Sequence, residues 1–148
     1  MRGATDRVLV VGLGRSGVAA ARLAAADGLV VRVTDRRPES ELGAVLEQLP
    51  SGLERVLGGH PVSALDGVGR VIVSPGVAAD AAVLVAARAR GLKVESEVEF
   101  AWRHRPEAPL VAVTGSNGKS TVTTLVGEML DAGGLTTAAG GNLGTAAS

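Results

Sequence analysis

The chain has no cysteine among its 148 residues. That excludes disulfides and thiolate metal sites and gives no reason to invoke an oxidising compartment. Aromatic residues are almost missing too, with one Phe, one Trp and no Tyr. Phe100 and Trp102 alone offer no platform on which successive bases could stack. Charge of one sign is lacking: Lys and Arg number 15, as do Asp and Glu. A net charge of zero points to neither nucleic acid nor a membrane surface as a partner. Long apolar runs are absent as well. Arg22, Asp27 and Arg32 interrupt the longest stretches, and no segment suffices to span a bilayer. The opening residues, Met1 to Arg7, are polar and lack the apolar centre of a signal peptide. A cytoplasmic protein is the expectation.

Two things are plentiful. Hydrophobic residues make up 46% of the chain, enough for one domain with a real core, or one domain and part of another. Glycine occurs 21 times, clustered where apolar runs end. Val8 to Val11 reads as a short strand ending in Gly12-Leu13-Gly14-Arg15-Ser16-Gly17. Val18 to Ala26 reads as an Ala/Leu-rich helix closed by Asp27-Gly28, and Leu29 to Val33 as a second strand ending in Thr34-Asp35-Arg36-Arg37. G-x-G-x-x-G alone is weak in so glycine-rich a chain. With strand, helix, strand and acid in place it is a dinucleotide-type βαβ fingerprint. The plain alternative is a βα turn whose glycines only permit tight packing.

Further along, Pro38 is expected to open a helix running to about Leu49, and Leu53 to Leu57 a short strand. His60, in the turn Gly58-Gly59-His60-Pro61, has no other His or Cys in reach along the chain and reads as a surface histidine rather than a ligand. Arg70 to Val73 is a third clear strand, followed by Ser74-Pro75-Gly76. Asp80 is expected to cap a helix through Ala89, with Gly91 ending it. Lys93 to Glu95 reads as an edge strand, and Ser96-Glu97-Val98-Glu99 as the capping box of a helix through Phe100 and Trp102. Arg103 to Pro109, polar and with two prolines, is the best linker.

Leu110 to Val113 reads as a buried strand that breaks at Gly115, and a helical pattern runs from Lys119 to Leu130. Between them lies Gly115-Ser116-Asn117-Gly118-Lys119-Ser120-Thr121. Strand, Gly-rich turn with Gly-Lys-Ser, then helix is the layout of a phosphate-binding loop. Small residues let backbone N–H groups converge on phosphate oxygens, and the helix N-terminus adds partial positive charge. Lys119 supplies a cation for the outer phosphates, and Ser120 a hydroxyl for Mg²⁺. The spacing departs from G-x-x-x-x-G-K-[ST], since Val113 stands where the first glycine would. Leu135 to Ala139 is expected as another strand, ending in Gly140-Gly141-Asn142. Gly12–Gly17, Asp35, Ser74–Gly76, Gly115–Thr121 and Gly140–Asn142 thus all follow an expected parallel strand, where open α/β sheets bind ligands.

Gly12 to Gly17, Val73-Ser-Pro-Gly76, Val113-Thr-Gly-Ser-Asn-Gly-Lys-Ser-Thr-Val-Thr-Thr124 and Gly140-Gly-Asn-Leu-Gly144 together resemble the Mur ligases, which share the unusual loop spacing. The branch most resembled joins D-glutamate to UDP-N-acetylmuramoyl-L-alanine in peptidoglycan synthesis. The resemblance implies a Rossmann-like parallel sheet with helices on both faces, followed by the first βαβ unit of a P-loop ATPase-type domain. Residues 1–95 would bind the UDP-sugar, and residues 96–148 would begin the central ATP-binding domain. It implies that Gly14, Arg15 and Ser16 meet the diphosphate, that Asp35 accepts from the uracil beside Arg36 and Arg37, and that Ser74, Pro75 and Gly76 admit the substrate. Gly115 to Thr121 would hold ATP, with Lys119 on the phosphates and Ser120 on Mg²⁺. Asn142, with Lys119 a catalytic candidate, would lie near the reacting carboxylate. The family phosphorylates that carboxylate to an acyl phosphate, which the amine of D-glutamate attacks.

Mur ligases have three domains, and this chain reaches just inside the second. Binding of the UDP-substrate without turnover is therefore expected, with the D-glutamate site elsewhere. An isolated βαβ unit would leave a sheet edge and an apolar face open, so self-association or partial disorder is expected after about Pro106. Two other readings stand beside this one. An NAD(P)-dependent oxidoreductase would account for Gly12–Gly17 and Asp35, with Arg36-Arg37 for a 2′-phosphate, but has no use for the Gly-Lys-Ser-Thr loop. The other is a non-catalytic nucleotide-binding module.

Overall fold

The computed structural model describes residues 7–104, 107 and 109–140. Strand β1 (Arg7–Val11) is the axis around which the first hundred residues fold, and all but its first residue are buried. Burial of consecutive residues means that both faces of the strand are covered, as in parallel sheets flanked by helices. β2 (Val30–Asp35) and β4 (Arg70–Val73) lie on either side of it. β3 (Glu54–Leu57) pairs outside β2, and β5 (Lys93–Ser96) outside β4. Every pairing is parallel, in the order β3-β2-β1-β4-β5.

Alternation along the strands sorts side chains into two cores. Val8 and Val10 share one face with Val31, Val33 and Ile72, and helix α1 (Arg15–Ala26) covers it. Ala20, Ala21 and Ala24 are fully buried there, and their small side chains let the helix lie close to the sheet. Phe100, from α4 (Glu97–Trp102), completes this core. Leu9, Val11 and Val71 face the other way, against Val83, Leu84 and Ala87 of α3 (Ala82–Ala89) and Leu65 of a 3₁₀ turn at Val62–Leu65. Each fully buried Val or Leu contributes about 1.5–3 kcal/mol relative to exposure. The expected parallel sheet with helices on both faces is what forms.

Some local expectations are corrected. The helix expected from Pro38 to Leu49 is split into a 3₁₀ turn at Glu39–Glu41 and a single turn, α2 (Gly43–Leu46). Leu42 is pulled into the core with φ −109°, off the helical value, and Gly43 follows it, so the helix does not run through. Asp80 does not cap α3. Ala81 occupies that position without a side-chain cap, leaving Asp80 one residue early. Ser96 does cap α4, accepting from the Glu99 backbone N–H at 3.2 Å.

Edge strand β5 carries a buried acid, Glu95, whose carboxylate lies 3.0 Å from Arg103, 3.4 Å from Lys93 and 3.6 Å from Arg70. Burial raises its carboxyl despite the opposing charge of Arg70. An inward charge of this kind discourages pairing by a foreign strand.

Of the expected second βαβ unit, the helix is present as α5 (Lys119–Ala132). The flanking segments differ from expectation. Residues 109–115 and 135–140 are not strands, and Leu110 and Val111 are 58% and 61% exposed. A strand needs a ladder partner, and none runs beside these segments among the described residues. Leu135 instead donates to Leu130 O, and Thr137 bonds Asp131 through both its N–H and its hydroxyl. The chain thus turns back along α5 past Gly127. No helix among the described residues is long and apolar enough to cross a membrane.

Candidate functional site

The strand order reverses between β1 and β4: from β1 the chain builds outward through β2 and β3, then returns for β4 and β5. Ligands of such sheets sit at that switch point, beyond the carboxyl ends of the strands. The residues there are Gly12 to Gly17 after β1 and Ser74 to Gly76 after β4, and they touch. Ser74 Oγ donates to Gly12 O at 2.9 Å, in a buried position. Gly12 has φ +90°, and its N–H donates to Thr34 O at 2.7 Å. A side chain at Gly17 would meet Gly12 O at 1.9 Å and Ser74 Oγ at 2.6 Å, so only glycine lets α1 start here.

Helix α1 begins at Arg15, three residues earlier than expected, and therefore opens inside the glycine turn. Gly14 is its N-cap and provides no capping side chain. A Cβ at Gly14 or at Gly76 would meet nothing within 4 Å, so the space beside both is open. Gly14 and Arg15 are exposed and Ser16 half-buried. An open helix N-terminus flanked by a cation suits an anion such as a diphosphate.

Asp35 braces the same turn from the end of β2. Its Oδ2 accepts from the Leu13 N–H at 2.7 Å and from Arg37 Nη2 at 3.0 Å. Its Oδ1 accepts from the Arg37 N–H and Nε, both at 2.9 Å. Arg37 Nη2 also donates to Leu13 O at 3.0 Å, so Asp35 and Arg37 clamp Leu13 from two sides. Burial pushes the Asp35 carboxyl up. The Arg37 side chain, the Arg37 and Leu13 N–H groups and the Arg37 charge outweigh it, lowering it to about 2. The hydrogen bond to Asp35 raises the Arg37 guanidinium, against the effect of its burial. A carboxylate has about four lone-pair sites, and protein donors occupy all of those on Asp35. Arg36 is exposed beside it.

His60 is the residue whose place the sequence concealed. It is half-buried, not a free surface group, and its Nδ1 lies 3.2 Å from Thr34 Oγ1. The turn that carries it is stitched to β2: Gly59 N–H donates to Asp35 O and Gly58 N–H to Arg37 O. No sequence signal joined His60 to Thr34, 26 residues away.

The second glycine loop forms separately, at the start of α5. Gly115 and Gly118 have φ +150° and +75°, and Gly118 is the N-cap of the helix. Lys119 Nζ folds back onto Gly115 O at 2.6 Å and Ser116 O at 3.3 Å, ringing the loop with its own cation. Residues 114 to 122 are all exposed, including Asn117, Ser120 and Thr121. Among the described residues no cluster of His, Cys, Asp or Glu could hold a metal. Asn142 lies outside the described residues.

A doubly wound parallel sheet with a glycine turn clamped at its switch point defines a nucleotide-binding type of α/β domain. A family model described as the Mur ligase MurD-like N-terminal domain matches residues 6–96. The chain belongs to the Mur ligase family. It is 51% identical over 139 residues to a UDP-N-acetylmuramoylalanine–D-glutamate ligase of Anaeromyxobacter dehalogenans, covering 94% of this chain and 30% of that protein. It is 47% identical to the same ligase of Geotalea uraniireducens, with 93% and 30% covered. Among solved structures it is similar to the UDP-N-acetylmuramate-alanine ligase MurC of Thermotoga maritima, with TM-score 0.51 and 27% identity. That match covers 84% of this chain and 29% of MurC. The chain thus spans about 30% of the length of these curated relatives.

Proposed function

We propose that the chain is the UDP-substrate-binding portion, with the start of the ATP-binding portion, of a ligase that adds D-glutamate to UDP-N-acetylmuramoyl-L-alanine. The observation that carries this is the clamped Gly12–Gly17 turn at the switch point, in a chain 51% identical to such a ligase. In this reading residues 1–95 form the UDP-sugar domain and residues 96–148 open the next. Gly14, Arg15 and Ser16 take the diphosphate at the open N-terminus of α1. Asp35, Arg36 and Arg37 bound the pocket for the base, and Ser74, Pro75 and Gly76 wall its other side.

The loop from Gly115 to Thr121 fits a nucleoside triphosphate, because its two glycines with positive φ and its helix N-terminus favour phosphate oxygens. Lys119 would leave its two carbonyls for the outer phosphates, and Ser120 would offer its hydroxyl to Mg²⁺. Bound ATP supplies the phosphoryl group that activates the substrate carboxylate, near which Asn142 is assigned. Positioning and charge neutralisation are the protein's share of that step. The chain alone is expected to bind without turnover, in the cytoplasm. The relatives favour this reading over an NAD(P)-dependent oxidoreductase.

Calorimetric titration with UDP-N-acetylmuramoyl-L-alanine, with NADH as the control, tests it. Heat from the UDP-sugar alone is expected. Heat from NADH alone, or from neither ligand, overturns the proposal.

A further inference from the structure

Helix α1 ends in a charge of the wrong sign. Its C-cap is Asp27, and its last turn holds no basic residue. The free carbonyls of a helix C-terminus carry partial negative charge, so a carboxylate placed there calls for a cation. The cation comes from 77 residues further along the chain, where His104 Nε2 bonds Asp27 Oδ2. The other ring nitrogen, Nδ1, lies 2.8 Å from Phe100 O, a carbonyl in the last turn of α4. His104 thus sits between the C-terminal ends of two helices. Its backbone N–H donates to Ala101 O at 3.0 Å, and its ring packs edge-on against Phe100 with centroids 4.8 Å apart. Both ring nitrogens face acceptors. A neutral imidazole has one N–H and satisfies only one of them, whereas an imidazolium satisfies both.

We propose that His104 is a proton-dependent latch, fastening α4 to the end of α1 at the corner where the chain leaves the sheet. α4 carries Phe100 into the core beside α1, and from His104 the chain goes on towards the glycine loop at Gly115. With the proton in place, this exit is fixed to α1, the helix whose N-terminus opens on the crevice. Without it, one of the two bonds is lost, a lone pair faces an acceptor, and the end of α4 loosens. The charged groups around the ring are Asp27 from α1, Arg70 from β4 and Glu95 from β5. Lys93 and Arg103 are held by Glu95 and Glu99. Burial lowers the ring's value, but the bonds to Asp27 and to Phe100 O and the Asp27 charge outweigh it, against Arg70, and bring it above 6.5. The latch is therefore fully closed below 6.5 and opens as pH rises through the raised value.

Trp102, exposed on α4 just before the latch, is the sole tryptophan and reports on it. Acrylamide quenching of its fluorescence in the 148-residue chain, followed from about pH 6 to about pH 9, should step upward. The midpoint should lie above 6.5 and match the pH at which nuclear magnetic resonance shows the His104 ring losing its proton. The chain has no Cys or Tyr, and burial holds the other histidine, His60, below 6.5, so neither confuses the step. In Asp27→Asn the amide can donate to Nε2 while Nδ1 keeps its proton on Phe100 O, so a neutral ring closes the latch. Quenching in that variant should stay low throughout. In His104→Ala it should stay high throughout. A wild-type protein without the step, or a step that persists in His104→Ala, overturns the latch. Should His104→Ala fail to fold, a step in Asp27→Asn at the wild-type midpoint overturns it.

Discussion

Replacing Asp35 by Asn isolates the clamp on the glycine turn. The amide keeps one acceptor oxygen and puts a donor where the other stood. Facing Leu13, its nitrogen meets the buried N–H now held at 2.7 Å. An N–H left unsatisfied there costs about 1–3 kcal/mol. The Arg37 side chain is 42% exposed, so its ion pair is discounted to the surface range of about 0–1 kcal/mol. The sum is about 1–4 kcal/mol. The same interactions, which hold the Asp35 carboxyl low, make this stability depend on pH. The fall of the carboxyl from 3.8 to about 2 corresponds to about 2.5 kcal/mol at neutral pH. Because the folded value is depressed, this stability is present above the unfolded value near 3.8 and is lost as pH falls towards 2. Urea unfolding of both proteins should show the wild type ahead by about 2–3 kcal/mol at neutral pH, narrowing to about half that near pH 3. A gap below about 0.5 kcal/mol, or one that does not change with pH, refutes the clamp.

Gly17→Ala should destabilise by about 1–3 kcal/mol or more through the 1.9 Å approach to Gly12 O, whereas Gly14→Ala, beside open space, should be nearly neutral. Equal melting temperatures for the two would contradict the close approach. His104 Nδ1 lies 2.8 Å from Phe100 O and its Nε2 on the Asp27 carboxylate, two acceptors that only an imidazolium can satisfy together. Burial lowers the His104 value, but Asp27 and the Phe100 carbonyl outweigh it and raise it. This tie should therefore be complete below about pH 6.5, fade as pH rises through the raised value, and lose its pH dependence in Asp27→Asn, read by thermal unfolding. Lys119→Ala should weaken ATP binding by about 1.5–3 kcal/mol, and unchanged affinity would mean that the loop does not hold the phosphates. Leu125 and Met129 on α5 are 52% and 72% exposed, as Leu110 and Val111 are before it. Copies should self-associate through this surface in sedimentation experiments, and a monomer at every concentration would count against it.

The sheet was legible because its strands carry their own signature. Val8–Val11, Val30–Val33 and Arg70–Val73 are mostly apolar runs that end at Gly12, Thr34-Asp35 and Ser74-Pro75-Gly76, and parallel strands covered on both faces need little else. The same signature failed at Leu110–Val113. A run of β-prone residues becomes a strand only beside another, and no described strand is there to pair with it. The stretch after Pro38 failed for the opposite reason. Its helical pattern was real, but burial of Leu42 fixed a backbone angle that the pattern did not encode.

The site divides along a similar line. The Gly12–Gly17 spacing and the acid ending β2 are local, and both were visible. What the sequence could not show was which groups are already engaged. An aspartate at the end of a second strand reads as a free acceptor, yet Leu13, 22 residues away, is already one of its partners. A histidine between glycine and proline reads as a surface group, yet it lies half-buried against a threonine 26 residues back. Residue type sets which bonds a side chain can make, and only tertiary neighbours decide which are still to be made.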